Sequence, residues 1–102
     1  MKNLIKIPHS KEEAIWISWS DYKSKENFLS DNKLDFLETN PDGSEYIISG
    51  KRYKPEVRPS EIEFKDQEWE MGFEILFREV GEDEFEGKAM VYGEFKELIT
   101  KN

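Results

Sequence analysis

Trp69-Glu70-Met71-Gly72-Phe73-Glu74-Ile75-Leu76-Phe77-Arg78 is the stretch that decides the fold. Trp69, Met71, Phe73, Ile75 and Phe77 recur at every second residue, with Glu70, Gly72, Glu74, Leu76 and Arg78 between them. Successive side chains of a strand point to opposite faces, so this period puts an unbroken apolar row on one side and a largely charged row on the other. The segment is expected to be a long strand at the centre of the core.

Working outward, Ile62 and Phe64 alternate with Glu61, Glu63 and Lys65, which predicts a preceding strand with Glu61 and Glu63 facing away from its apolar residues. Residues 54–59 contain Pro55 and Pro59, each lacking a backbone donor and biasing its predecessor towards extended geometry. They are expected to form the connection between the two halves of the chain. On the other side, residues 81–87 form an acidic connection bounded by Gly81 and Gly87, and residues 89–95 are expected to return as a strand.

The N-terminal half adds smaller elements. Residues 4–7 are a short apolar run closed by Pro8. Ser10 and Glu13 have capping-box spacing, which would start a helix with Ile15, Trp19 and Tyr22 on one face but would leave Trp16 and Ile17 off it. Period two instead groups Ile15, Ile17 and Trp19 against Ala14, Trp16 and Ser18, and the β-branched and aromatic content favours this strand. Ser24 suits a helix N-cap and Glu26 the first turn, predicting a short helix that holds Phe28 and Leu29 against the core. Apolar stretches at residues 34–38 and 44–49 flank Asn40-Pro41-Asp42-Gly43, a hairpin signal in which Pro41 fixes φ and Gly43 takes the left-handed conformation.

About seven short strands and one short helix imply a mostly antiparallel β fold: a small curled sheet, barrel or sandwich. The alternative is α+β, with a longer helix over residues 10–30 packed on an antiparallel sheet. At 102 residues a single domain spanning 1–102 is expected. Fourteen aromatics supply a core despite the high charge.

The charge is unevenly placed. Residues 1–59 hold ten acids and ten bases, whereas residues 60–102 hold thirteen acids and five bases, so the whole net charge of −8 lies in the last 43 residues. Such a field disfavours anionic membranes and nucleic-acid backbones and suits a basic partner. With no cysteine, disulfides, thiolate metal sites and cysteine nucleophiles are excluded. No apolar run reaches the roughly 18 residues of a membrane span, and residues 1–8 are too short and charged for a signal sequence. A cytoplasmic location is expected.

Four constellations are candidates for function. The first is the acidic surface: Glu68, Glu70 and Glu74 opposite the apolar row, Glu61 and Glu63 on the preceding strand, and Glu82, Asp83, Glu84 and Glu86 in the acidic loop. Same-face residues on a strand lie about 6.8 Å apart, so two adjacent acidic rows approximate the charge spacing of DNA, about 3.4 Å per strand. The simpler role of such a row is a solvated face that resists aggregation. The second is Lys51-Arg52-Tyr53-Lys54 with Arg58, a weak basic-aromatic run better suited to internal ion pairs. The third is a calcium-loop pattern starting at Glu82, which fails at its twelfth position, where Gly93 replaces the bidentate acid. The fourth is the aromatic set, in which Trp16 and Trp19 fall on opposite faces of a strand and one must reach the surface.

The catalytic inventory is sparse. His9 is the sole histidine, and neither a nucleophile motif nor a phosphate-binding glycine motif is present. No cofactor or metal is expected. These residues suggest a small acidic, non-enzymatic binding or inhibitor protein that docks an acidic sheet face on a basic protein, with Trp16 as anchor. Phage or mobile-element antagonists of defence proteins and toxin-immunity proteins are of this kind, with nucleic-acid mimicry as one mode. The alternatives are a small-molecule-binding β-barrel and an accessory subunit of a larger complex.

Overall fold

The alternating stretch forms β5 (Trp69–Glu79), the strand about which the sheet is built. The computed structural model describes residues 4–7, 12–21, 24–63, 68–81 and 87–100. Before β5 come β1 (Leu4–Lys6), β2 (Glu13–Ser18), a 3-10 turn at Trp19–Asp21, α1 (Lys25–Asp31), β3 (Tyr46–Ile48) and β4 (Lys51–Glu63). After it come β6 (Ala89–Met90) and α2 (Tyr92–Thr100). The strands pair antiparallel in the order β1-β2-β5-β4-β3, with β6 also on β5. Among the described residues the expected mostly antiparallel β architecture is present as one open six-stranded sheet with two short helices, neither a barrel nor a sandwich. The longer helix over residues 10–30 does not form, because the apolar alternation from Glu13 to Ser18 is used by β2. No helix among the described residues is long and apolar enough to cross a membrane.

Directly opposed residues share a face of the sheet. Ile15 and Val57 oppose Ile75, Ile17 and Pro59 oppose Phe73, and Pro55 opposes Phe77. Both helices cover this side: Phe28 of α1 and Tyr92 and Phe95 of α2 join Ile15, Tyr46, Tyr53, Ile75 and Phe77 in one core. Phe77 and Phe95 stack with centroids 4.2 Å apart and planes 2° from parallel, and Tyr53 meets Phe95 edge-on at 5.5 Å. Each such pair adds about 0.5–1.5 kcal/mol beyond burial. The expected cap of α1 is in place, with Ser24 Oγ accepting from the Asn27 N–H at 3.2 Å.

Three expectations are corrected. Residues 54–59 are not a connection but the middle of the 13-residue β4. The Val80 N–H donates to the Arg52 carbonyl, and β4 and β5 pair without a bulge, so even-numbered residues of β4 turn their backbone groups towards β5. Pro55 and Pro59 are odd, and their missing donors face the other edge. Beyond Tyr53 no strand of the described residues pairs with that edge. Two prolines four residues apart are in phase, and they fit an edge strand without losing a ladder bond.

Residues 34–38 are not a strand. The Leu37 N–H bonds the Leu34 carbonyl, and the Leu34 N–H donates to the Tyr46 hydroxyl at 2.9 Å, so this segment turns back on itself. The Asn40–Gly43 turn itself forms as expected, with Gly43 at φ 74°. Third, residues 89–95 supply only two strand residues before α2 begins at Tyr92. Tyr92, Phe95 and Leu98 recur at helical spacing and press onto the core, a tertiary demand that outweighs the local β character of Val91-Tyr92.

Gly72 fixes the packing of β2 on β5. A methyl group there would overlap the Ile17 carbonyl oxygen and the Trp16 ring atoms Cζ2 and Cε2. The Trp16 indole crosses β5 over this bare backbone, and its Nε1 donates to the Ser60 carbonyl of β4 at 3.3 Å. Gly72→Ala is expected to destabilise the fold by about 1–3 kcal/mol, the usual cost of overpacking, read as a lowered denaturation midpoint. Replacing Pro55 and Pro59 together by Val is expected to restore donors to the open edge and produce concentration-dependent self-association in sedimentation measurements.

Candidate functional site

The acids expected on one face divide between two. Glu61 opposes Met71 and Glu63 opposes Trp69, so both lie on the apolar, helix-bearing side of the ribbon. Ile62 opposes Glu70 and is buried on the reverse side. Alternation along a strand says which residues belong together, whereas the pairing register decides which face of the sheet they occupy.

The reverse side carries Glu70 and Glu74 but not a continuous acidic row. Lys54, Glu56, Arg58 and Ser60 of β4 stand against Arg78, Leu76, Glu74 and Gly72 of β5. Arg58 donates to Glu56 at 2.9 Å, and Arg78 donates to Glu56 at 3.2 Å and to the Gly87 carbonyl at 3.0 Å. Burial, the largest influence on Glu56, pushes its pKa up, but the hydrogen bonds and charges of Arg58 and Arg78 together hold it below the ordinary value. For Glu74 burial prevails: the carboxyl is raised above its ordinary 4.5 against the Ser60 hydrogen bond and the Arg58 charge. Alternating signs on this face do not reproduce the spacing of two phosphate rows.

Trp16, expected as the exposed anchor, is only 5% exposed, closed down over Gly72. Of the two tryptophans it is Trp19 that reaches the surface, 47% exposed, and it lies in the 3-10 turn after β2 and not in the expected strand. The basic-aromatic run is absorbed by the fold: Lys51 pairs with Glu79 at 3.7 Å, Arg52 with Glu45 at 3.3 Å, and Tyr53 is in the core. His9, Glu82, Asp83, Glu84 and Glu86 lie outside the described residues. A groove of about 320 Å³ between β2 and α2 is lined by Glu12, Glu13, Glu94, Lys96 and Glu97 and opens to solvent. The open sheet has no barrel interior in which a ligand could be enclosed.

The described residues do assemble one distinct surface. β2 pairs with β5 only as far as Gly72, so beyond that point the sheet narrows to the ribbon of β4 and β5. The packed core ends at Phe73, while Met71 and Trp69 continue the apolar row past the helices. Trp69 is 59% exposed, and the Trp19 ring lies 6.0 Å from Phe73 on the same side. Glu61, Glu68 and Glu70 are exposed around this end and Glu63 is half-buried beside Trp69. Residues 59–71 hold five acids against Lys65 alone. Sequence reasoning assigned Trp69 to the core because it closes the alternating row. The signal it passed over was the neighbourhood, since Glu68 and Glu70 flank Trp69 and a core strand rarely begins that way.

Comparison with protein-family models, with curated proteins and with solved structures finds no match to this chain.

Glu74 gives a test of the reverse side. In the unfolded chain its carboxyl ionises near the ordinary 4.5, and in the folded chain it ionises higher. Between the two values the folded chain keeps a proton that the unfolded chain loses, so stability falls as pH rises through that window. Glu74→Gln is expected to raise stability over the parent at neutral pH and to lose that advantage below the ordinary carboxylate range, measured by denaturant titration at both pH values.

Proposed function

We propose that this is a non-enzymatic binding protein of the inhibitor type that docks the end of the β4–β5 ribbon onto a basic protein. The observation that carries this is Trp69, exposed at the narrow end of the sheet among Glu61, Glu63, Glu68 and Glu70. A large apolar side chain supplies binding energy when a partner desolvates it, and rim charges steer encounter and select the sign of the partner. Trp19 and Met71 extend the apolar strip, so the contact has a centre and an acidic border.

The natural counterpart is a cationic surface, such as the substrate site of a nucleic-acid-binding enzyme. Antagonists of defence nucleases carried by phages or mobile elements, and immunity proteins that neutralise basic nuclease toxins, act in this way. Complementarity here is of sign and shape: the mixed charges of the reverse face do not favour regular phosphate mimicry. A ribbon two strands wide is narrow enough to enter a groove made for a nucleic-acid strand.

The test is retention of host proteins on the immobilised chain, comparing it with a folded variant carrying Gln at positions 61, 63, 68 and 70. A basic protein is expected to bind at low salt, elute at moderate salt and be held roughly tenfold less tightly by the variant. Equal retention by both proteins, insensitive to salt, would overturn the proposal.

A further inference from the structure

Resting on that docking function, we infer that the ribbon end receives an arginine side chain of the partner, its guanidinium laid on the exposed Trp69 ring and forked to the Glu63 carboxylate. The register supplies the geometry. Even-numbered residues of β4 exchange the ladder hydrogen bonds with β5, so the odd pair Glu63 and Trp69 is of the non-hydrogen-bonded kind. In such pairs the Cα atoms are only about 4.5 Å apart and the side chains are at their closest. A carboxylate and an exposed indole thus leave the sheet side by side on one face.

Together they match a planar cation. A guanidinium stacks flat on an aromatic ring while its fork of N–H donors reaches a carboxylate, whereas an ammonium is a compact charge with no plane to stack. Glu61, the next residue on that face at about 6.8 Å, extends the negative border, and Met71 offers an apolar bed for the methylene stem.

Among the described residues no cation takes this place. Among the described residues no lysine or arginine pairs with Glu61, Glu63, Glu68 or Glu70. The three arginines of the chain are engaged elsewhere, Arg52 with Glu45 and Arg58 and Arg78 with Glu56. The partner segment approaches over the face, where the Glu63 and Trp69 side chains stand, and on the β4 edge Pro55 and Pro59 withhold donors that an added strand would need.

Labelled hexa-arginine and hexa-lysine peptides, equal in charge, test this by fluorescence anisotropy with the full chain. Hexa-arginine is expected to bind roughly fivefold more tightly. Trp69→Ala and Glu63→Gln, each checked for folding by circular dichroism, should each remove most of that preference. Glu70→Gln, on the reverse face, should weaken both peptides alike and leave the ratio intact. Equal affinity for the two peptides, or a ratio that survives both Trp69→Ala and Glu63→Gln, overturns the inference. If the peptides bind equally and both weaken in the fourfold Gln variant, arginine selection fails while docking on a basic partner stands. If neither peptide binds, the inference fails, and retention of a host protein decides the docking function separately.

Discussion

Eleven consecutive pairs between β4 and β5, from Tyr53 opposite Glu79 to Glu63 opposite Trp69, determine almost everything else about the molecule. This register sets Val57 beside Ile75 and Tyr53 among the aromatic rings of the core, and it places Glu61 and Glu63 beside the end of the apolar row. A slip of one residue would move every side chain of β4 to the opposite face. The two strands would then lose the core contacts of Tyr53 and Val57 together. Trp16 guards against such a slip, since its indole spans Gly72 and reaches the Ser60 carbonyl, linking three strands through one side chain.

Charge and packing divide the molecule along this ribbon. Where β4 and β5 lie over the helices, Glu56 is held between Arg58 and Arg78, and Lys51 and Arg52 have acidic partners. The exposed Lys51–Glu79 pair contributes little to stability, about 0–1 kcal/mol, but all of these pairs neutralise the field locally. Past Gly72 the acids have no counterpart among the described residues, and apolar surface is left uncovered at the same end. For the docking proposed above, long-range attraction and short-range desolvation would act at the same place.

How much of this was legible in the sequence depended on whether local pattern and tertiary demand agreed. β5, β2, the Ser24 cap and the Asn40–Gly43 turn were readable because alternation, capping chemistry and turn residues each act within a few neighbours. α2 was missed because Val91-Tyr92 looks β-like locally while Phe95 is drawn into the core by Phe77, far away in sequence. The prolines of β4 suggested a break because their tolerance depends on which edge they face, and no local pattern reports that. For the same reason the division of Glu61 and Glu63 from Glu70 and Glu74 between two faces was not legible. Trp16 and Trp19 were rightly separated, but which one is buried follows from Gly72, a residue of another strand.

The two prolines of β4 also bear on what kind of selectivity this surface can have. Proteins that capture ligands by extending a sheet read mainly the backbone, and backbone is common to every chain. Here that generic mode is handicapped on the β4 edge of the ribbon, and the docking proposed above relies on side chains over one face. A partner can present its contacts from a helix, a loop or a turn, provided their chemistry matches, while an arbitrary unfolded segment gains little from merely being extended. Discrimination then resides in the amino-acid identities of the target and not in its secondary structure.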